Sequence, residues 1–253
     1  MKELVIISGK GGAGKTSLAA SFALLAPNAV LVDADVDAAD MHLLLTPSIL
    51  QRHDFYSGVE AKIDPERCTA CGACVNLCRF NAIVETADGT FHVDPAACEG
   101  CGVCAAFCPK SAVKLEQRLC GQWMISDTRA GPMVHAKLGI AAENSGKLVS
   151  TVREQARQLA RQTGRDLILI DGPPGIGCAV IAAITGASAA LLITEPTPSG
   201  EHDMLRALEL TRHFQIPAYV CINKGDLSPE KSAQIEAKAS ALGAIILGRL
   251  PYD

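Results

Sequence analysis

The chain has 253 residues, of which 49% are hydrophobic and 4% aromatic, and its net charge is -4. This apolar content is ample for a packed core and excludes a largely disordered chain. The net negative charge disfavours a general affinity for nucleic acid, and the scarcity of aromatic residues argues against a surface that stacks bases. We therefore expect a globular protein that does not bind nucleic acid.

The apolar segments and the cysteines indicate where the protein works. No uninterrupted apolar run reaches the length of about 18 residues that a membrane-spanning helix needs, and residues 179–194, the closest candidate, are interrupted at 185–188. The amino terminus leads directly into an apolar strand and contains no signal peptide. Eleven cysteines in such a chain favour a reducing compartment over disulfides. We expect a cytoplasmic protein without a membrane partner.

Short β-branched runs alternate with helical segments along most of the chain. They predict buried strands at residues 4–8, 29–33, 166–171, 189–194, 218–223 and 244–250, and helices at 16–25, 145–161, 199–214 and 229–242. Strands that are apolar on both faces and joined by helices form a parallel, doubly wound sheet. The predicted fold class is therefore α/β, and a ligand should lie at the carboxyl ends of the strands.

A phosphate-binding loop follows the first predicted strand and opens the first predicted helix. In this pattern the backbone N–H groups surround a phosphate, the lysine before the helix neutralises the outer phosphates, and the next hydroxyl binds Mg2+. The lysine is Lys15 and the hydroxyl is that of Thr16. The residues predicted to bind the nucleotide here are Gly9, Lys10, Gly11, Gly12, Ala13, Gly14, Lys15, Thr16 and Ser17.

Eight cysteines interrupt the alternation of strands and helices. They form the pattern C-x2-C-x2-C-x3-C twice, at Cys68, Cys71, Cys74 and Cys78 and at Cys98, Cys101, Cys104 and Cys108. This spacing is typical of modules that hold two [4Fe-4S] clusters, and it disfavours structural zinc, the alternative. The flanking sequence repeats at a 30-residue shift, because residues 63–65 match 93–95 and residues 81–83 match 111–113. We predict three segments: residues 1–60 and 118–253 form one domain, and residues 61–117 form a small inserted α+β ferredoxin module.

The ligand sets of the two clusters are predicted to cross between the cysteine runs. In two-cluster ferredoxins the first three cysteines of one run bind one cluster, and the fourth binds the other cluster. Applied to this chain, the rule assigns one cluster to Cys68, Cys71, Cys74 and Cys108 and the second to Cys98, Cys101, Cys104 and Cys78. Pro109 follows the second run as in ferredoxins, but Arg79 replaces proline after the first run and puts a cation beside a cluster.

Three features of the remaining sequence resemble the deviant Walker A ATPases, which include MinD, ParA, Mrp and the nitrogenase iron protein. They are the extra lysine Lys10, the Val-Asp-Ala-Asp segment 32–35 and the Asp-Gly-Pro-Pro-Gly turn 171–175. The resemblance covers about residues 1–50 and 118–253. Segments 143–149 and 194–200 are similar to the MinD-superfamily ATPases that contain an inserted ferredoxin domain.

This resemblance implies a role for individual residues. Lys10 would cross a dimer interface to the phosphates of a partner, which is a second copy or a related ATPase, and Asn223 would read adenine. Asp35 would position the attacking water, and Asp171 would lie behind Mg2+. The implied catalytic residues are Lys10, Lys15, Asp35 and Asp171, and the implied Mg2+ shell is Thr16, Asp33 and Asp171.

Several alternatives stay open from the sequence. A solvated strand end would also explain Asp33 and Asp35, and Asp37 and Asp40 fit a switch segment or a polar helix face equally well. Lys224-Gly225-Asp226 is similar to the guanine-reading motif of GTPases, so GTP is an alternative to ATP. Cys178 occupies the second switch, where the resemblance implies a third cluster that bridges a dimer, although no second ligand is evident. The end of the sequence soon after a strand leaves open whether a carboxyl-terminal helix is missing.

The sequence supports two hypotheses of different classes. The first is a Mg2+-dependent ATPase whose nucleotide-dependent dimer controls electron transfer through two [4Fe-4S] clusters to a partner metalloprotein. The alternative is a carrier of the Mrp type that assembles or delivers iron-sulfur or metal cofactors. The exchangeable C-x-x-C pair of those carriers does not follow Cys221, which favours the first hypothesis.

Overall fold

The computed structural model describes residues 1–139 and 144–252. Glu143 of the segment 143–149 and the final Asp253 therefore lie outside the described residues. The chain divides into two compact units. The sheet unit contains residues 1–53, 122–138 and 144–252, and the cysteine unit contains residues 54–121 and 139.

Eleven strands and eight helices are formed by the described residues. The strands are β1 (Lys2–Ser8), β2 (Ala29–Asp33), β3 (Ser48–Ile63), β4 (Ile83–Glu85), β5 (Phe91–Val93), β6 (Val113–Thr128), β7 (Gly131–Leu138), β8 (Leu167–Pro174), β9 (Ala189–Thr194), β10 (Ala218–Ile222) and β11 (Ile245–Arg249). The helices are α1 (Lys15–Leu25), α2 (Met41–Leu45), α3 (Ala73–Leu77), α4 (Val103–Ala106), α5 (Ser145–Thr163), α6 (Cys178–Ile184), α7 (Pro198–His213) and α8 (Pro229–Ala241).

One large sheet has the strand order β11-β10-β9-β1-β8-β2-β7-β6-β3. β1 pairs in parallel with both β8 and β9, and β2 pairs in parallel with β8 and β7. The six strands predicted from the sequence correspond to β1, β2, β8, β9, β10 and β11, which confirms the predicted α/β fold class. Their residues are apolar on both faces because helices connect them, and Ile6, Leu31 and Leu191 share one hydrophobic core with Ala19 and Ala23 of α1.

Three strands of the sheet have no predicted counterpart. β6 and β7 are joined by the two-residue turn Arg129-Ala130, in which the Thr128 hydroxyl accepts from the Ala130 N–H and donates to the Gly131 carbonyl. A turn this short makes β6 and β7 antiparallel neighbours. The third is β3, the edge strand. The chain passes between the two units within β3 and within β6, and the predicted boundaries at 60/61 and 117/118 also fall within these strands.

The cysteine unit repeats its backbone conformation at the same 30-residue shift as its sequence. Gly72 and Gly102 precede α3 and α4 with φ of 71° and 78°, and Asn81 and Ser111 have φ of 52° and 49°. β4 and β5 form an antiparallel pair. The core of this unit is small, consisting of Ala61, Ala82, Cys98, Val113 and partly buried neighbours, so each half is too small to bury a core unaided.

The carboxyl ends of β1, β2 and β8 bring three loops to one edge of the sheet. These loops contain residues 9–14, 34–40 and 175–177. This edge of a parallel sheet is the expected place for a ligand. No helix among the described residues is long and apolar enough to cross a membrane.

Candidate functional site

The predicted phosphate-binding loop lies between the end of β1 and the start of α1. Gly12 and Gly14 have φ of 80° and 87°, a backbone conformation that side chains disfavour. At Gly14 a Cβ atom would also lie 2.3 Å from Nδ2 of Asn223, and at Gly9 it would lie 2.4 Å from Cβ of Asp203. Glycine is therefore required at Gly9 and Gly14 for the loop to pack against its neighbours.

This loop borders a cavity of about 700 Å3, within the range of ligand pockets. The opposite walls are the loop after β2 and residues 173–180 of β8 and α6. The polar and charged side chains that line the cavity include Ser8, Lys15, Thr16, Ser17, Asp35, Asp37, Asp40, Ser145 and Cys178. The structure thus brings most of the predicted nucleotide residues to one cavity, together with Asp37 and Asp40.

Lys15 lies between two of the predicted carboxylates. Its Nζ is 3.0 Å from Oδ1 of Asp171 and 3.6 Å from Oδ2 of Asp35, and all three side chains are largely buried. Burial raises the pKa of Asp171, and the Lys15 ammonium opposes this rise. Burial likewise raises the pKa of Asp35, again against the effect of Lys15. The single ammonium therefore holds two carboxylates together, and Lys15 and Asp35 line the cavity.

Asp33 organises the loop that carries Asp35. Oδ1 of Asp33 accepts from the Asp35 N–H at 3.2 Å, and Oδ2 accepts from the Met41 N–H at 3.1 Å. Burial and the neighbouring Asp171 raise the pKa of Asp33 to about 8. With both oxygens bonded to the backbone, Asp33 is placed to support the loop; its predicted contribution to a Mg2+ shell stays a prediction.

The chemistry of the cavity fits a Mg2+ ion. Among the described residues, Oδ2 of Asp171 is a buried oxygen without a hydrogen-bond partner, which is costly unless a ligand satisfies it. The Thr16 hydroxyl lines the same cavity. Oxygen ligands from one or two side chains, completed by phosphates and water, are what Mg2+ prefers.

Lys10 and Asn223 make contacts within their own chain. Nζ of Lys10 is 3.4 Å from Oε2 of Glu195 and 3.3 Å from Oγ of Ser199. Nδ2 of Asn223 donates to the carbonyl of Ala13 at 3.0 Å, so Asn223 fastens the phosphate loop to the end of β10. Their predicted roles, in a partner's site and in reading adenine, stay predictions.

The predicted cluster ligands gather at two small cavities of the cysteine unit. Cys68, Cys71, Cys74 and Cys108 line one, and Cys78, Cys98, Cys101 and Cys104 line the other. This grouping is the crossed one expected from the sequence. The Ala82 and Ala112 N–H groups donate to Sγ of Cys78 and Cys108 at 3.4 and 3.2 Å. Four thiols at each cavity, with backbone donors to sulfur, fit the ligand set of an iron-sulfur cluster.

The remaining cysteines differ in exposure. Cys120 and Cys221 are buried, and Sγ of Cys120 donates to the carbonyl of Ser57. Cys178 is exposed at the start of α6 and lines the phosphate-loop cavity; a third cluster on it stays a prediction. Two residues of this region are not predicted from the sequence: Glu195, whose only signal is the segment 194–200, and Ser145, which lines the cavity.

Comparisons with known proteins agree with this architecture. Residues 61–115 match the family model of the 4Fe-4S dicluster domain, inserted in the α/β fold. The uncharacterized protein MJ0578 of Methanocaldococcus jannaschii is 32% identical over 225 residues, which are 88% of this chain and 78% of that protein.

Solved structures show the fold of the sheet unit. The apo McdA protein of Cyanothece has a TM-score of 0.55 and 17% identity, over 100% of this chain and 86% of McdA. The MinD protein of Pyrococcus horikoshii, solved with Mg-ADP, has a TM-score of 0.53 and 17% identity, over 100% of this chain and 82% of MinD. The chain therefore belongs to the family of MJ0578, and it has the fold of the MinD and McdA proteins with an inserted 4Fe-4S dicluster domain.

Proposed function

We propose that this protein is a Mg2+-dependent ATPase in which a nucleotide-dependent dimer controls electron transfer through two [4Fe-4S] clusters to a partner metalloprotein. The observation that carries the proposal is that one chain contains the side chains for a nucleotide site and the cysteines for two clusters. The former are Lys15, Asp35 and Asp171 beneath the glycine loop, and the latter line the pair of crossed four-cysteine cavities.

The charges around Lys15 support binding and hydrolysis of a nucleotide. The Lys15 ammonium is paired with Asp171 and Asp35. A phosphate would compete for this ammonium, and Thr16 and Asp171 are the residues that would hold Mg2+, which would neutralise phosphate charge. Lys15 then stabilises the charge that develops on the transferred phosphoryl group, and Asp35 is placed to orient the attacking water. The structure of the P. horikoshii MinD protein contains Mg-ADP, which supports a nucleotide and Mg2+ as the ligands of this cavity.

The dimer supplies the switch in this proposal. Lys10 occupies the same loop as Lys15, and 33% of its side chain is accessible, so its ammonium is available for contact with a second copy. To shift a conformational equilibrium from about 1:99 to 99:1, ATP must favour the closed dimer by about 5.5 kcal/mol. Phosphate contacts from both subunits are the proposed source of this preference.

The cysteine unit favours electron transfer over cluster delivery. [4Fe-4S] clusters supply one-electron chemistry when bound. Each proposed ligand set takes three cysteines from one half of the repeat and the fourth from the other half. Delivery of either cluster to a client would therefore remove a cross-link between the two halves of a unit whose apolar core is small. The unit is better suited to keeping its clusters.

Two experiments test the proposal. Lys15→Ala should abolish Mg2+-dependent ATP hydrolysis, whereas the exposed Lys62→Ala should retain it. Equal hydrolysis by Lys15→Ala and the wild type would overturn the nucleotide site. Separately, EPR spectra of the iron-loaded protein after addition of a low-potential reductant, with and without ATP, should show reversible reduction that ATP alters. Transfer of iron to apo-ferredoxin would instead establish the carrier function.

A further inference from the structure

Glu195 connects Lys10 of the phosphate loop with Lys224, which lies just after β10. Oε2 of Glu195 is 3.4 Å from Nζ of Lys10, and Oε1 is 2.6 Å from Nζ of Lys224. The side chain of Glu195 is 14% exposed, whereas those of Lys10 and Lys224 are 33% and 31% exposed. Hydrogen bonds first from Lys224 and then from Lys10 hold the pKa of Glu195 below its usual value. Glu195 is therefore a largely buried carboxylate shared between two more exposed ammonium groups.

The backbone of Glu195 is held by contacts with the start of α7. The carbonyl of Glu195 accepts from the Thr197 N–H at 2.8 Å. The first turn of α7 packs directly on this carbonyl, since a Cβ atom at Gly200 would lie 2.5 Å from it. Ser199 of the same turn supplies the second contact to Lys10. Both partners of Glu195 are lysines, but Lys10 makes the longer contact, at 3.4 Å against 2.6 Å for Lys224, so Lys10 is the partner that leaves more easily.

We infer that Glu195 is a positioning residue that holds Lys10 within its own chain until nucleotide draws Lys10 to a second subunit. The inference rests on the proposed dimer. Because Lys224 remains 2.6 Å from Glu195, the carboxylate keeps a counter-cation after Lys10 departs. The release of Lys10 therefore leaves no isolated charge behind. Glu195 sets the ATP concentration at which the dimer forms.

The test replaces Glu195 and measures ATP-dependent dimerisation by analytical ultracentrifugation of the iron-loaded protein. Glu195→Gln should lower the ATP concentration for half-maximal dimerisation about two- to fivefold, the range for partly exposed ion pairs. It should lower the KM for ATP without changing kcat, and Glu195→Asp should restore wild-type behaviour. High salt should reduce the difference, because it screens exposed charges. The matched control is Glu236→Gln, which breaks an ion pair with Arg249 on α8 and β11 and should change neither quantity.

A second variant keeps the inference testable if Glu195→Gln folds poorly. Lys224→Gln leaves Glu195 with Lys10 as its nearest cation, so it should raise the ATP requirement, opposite in sign to Glu195→Gln. An unchanged ATP requirement in Glu195→Gln would overturn the inference. A raised requirement would also overturn it, because it would mean that Glu195 stabilises the dimer and not the separate subunit. Lys10→Ala separates this failure from that of the proposed function. If Lys10→Ala dimerises at the wild-type ATP concentration, the lysine-bridged dimer itself is wrong.

Discussion

The buried histidine of β7 gives a quantitative prediction for stability against pH. His135 is 7% exposed, and its Nε2 lies 2.8 Å from Oγ of Ser126. Burial, with smaller electrostatic effects of His42 and Arg52, lowers the pKa of His135 from 6.5 to about 4. The folded protein therefore disfavours a proton that the unfolded chain accepts. The stability that the neutral ring contributes is present above pH 6.5 and is lost as the pH falls toward about 4.

The magnitude follows from the two pKa values. Each pH unit across this interval costs about 1.4 kcal/mol, so the full loss is about 3 kcal/mol, of which about 2 kcal/mol falls between pH 7 and pH 5. Asp33 acts in the opposite direction, because its pKa is raised to about 8 and protonation favours its folded state. The pH dependence of the wild type alone therefore does not isolate His135. The informative quantity is the difference between the wild type and His135→Gln.

Urea unfolding measured by tryptophan fluorescence provides the assay, because the single tryptophan, Trp123, lies in the sheet unit. The free energy of unfolding of the wild type should fall relative to that of His135→Gln by about 2 kcal/mol between pH 7 and pH 5. His213→Gln removes an exposed histidine and should follow the wild type. An identical pH dependence in the wild type and His135→Gln would refute the reasoning.

Three other predictions concern charge and metal. Glu3→Gln should lower the free energy of unfolding by about 3 kcal/mol in urea titrations, because it leaves the buried Arg153 without its carboxylate; a loss as small as that of Glu236→Gln, under about 1 kcal/mol, would contradict this. Lys110 and Glu99 line different cysteine cavities. In EPR redox titrations Lys110→Gln should lower the reduction potential of one cluster, because a nearby cation is lost, and Glu99→Gln should raise that of the other, because a nearby anion is lost. Shifts of the opposite sign would exclude an electrostatic effect of these side chains on the clusters. Iron chelation should make residues 54–121 sensitive to protease while tryptophan fluorescence stays native, and simultaneous loss of both would show that the units unfold together.

The sequence predicts the strands that helices cover, and it does not predict the strands that are largely exposed. β2 is buried at all five residues and appears as an apolar run, whereas β3 is exposed at most of its 16 residues and has no clear alternation. In such strands the neighbouring strand decides the conformation more than the residues themselves. The sequence predicts the strand at 189–194 but not the apolar helix α6 before it, because a short apolar run fits a helix or a strand.

The same distinction applies to the site. The spacing of the eight cysteines is enough to group them, because the ligand rule depends only on the position of each cysteine in its run. Lys10 and Glu195 are far apart in the sequence, and their contact depends on β1 and β9 being neighbours in the sheet. Nothing near Lys10 in the sequence indicates this partner. The pairing of Lys15 with both Asp35 and Asp171 depends on the order of β1, β8 and β2 in the same way.

The connections of the inserted unit show where nucleotide could act on it. The chain enters the cysteine unit along β3, which follows the loop of Asp35 and the short α2, and it returns along β6 and β7. At the end of β7 the Leu138 N–H donates to the carbonyl of Val36 at 3.1 Å, so the returning strand is bonded to the same loop. The segment between Asp33 and Met41, whose carboxylates line the cavity beside the phosphate loop, therefore precedes the incoming connection and is bonded to the returning strand. A change in this segment on binding ATP should alter hydrogen exchange in β7 as well as in residues 34–40. Protection of residues 34–40 without a change in β7 would separate the nucleotide site from the returning strand.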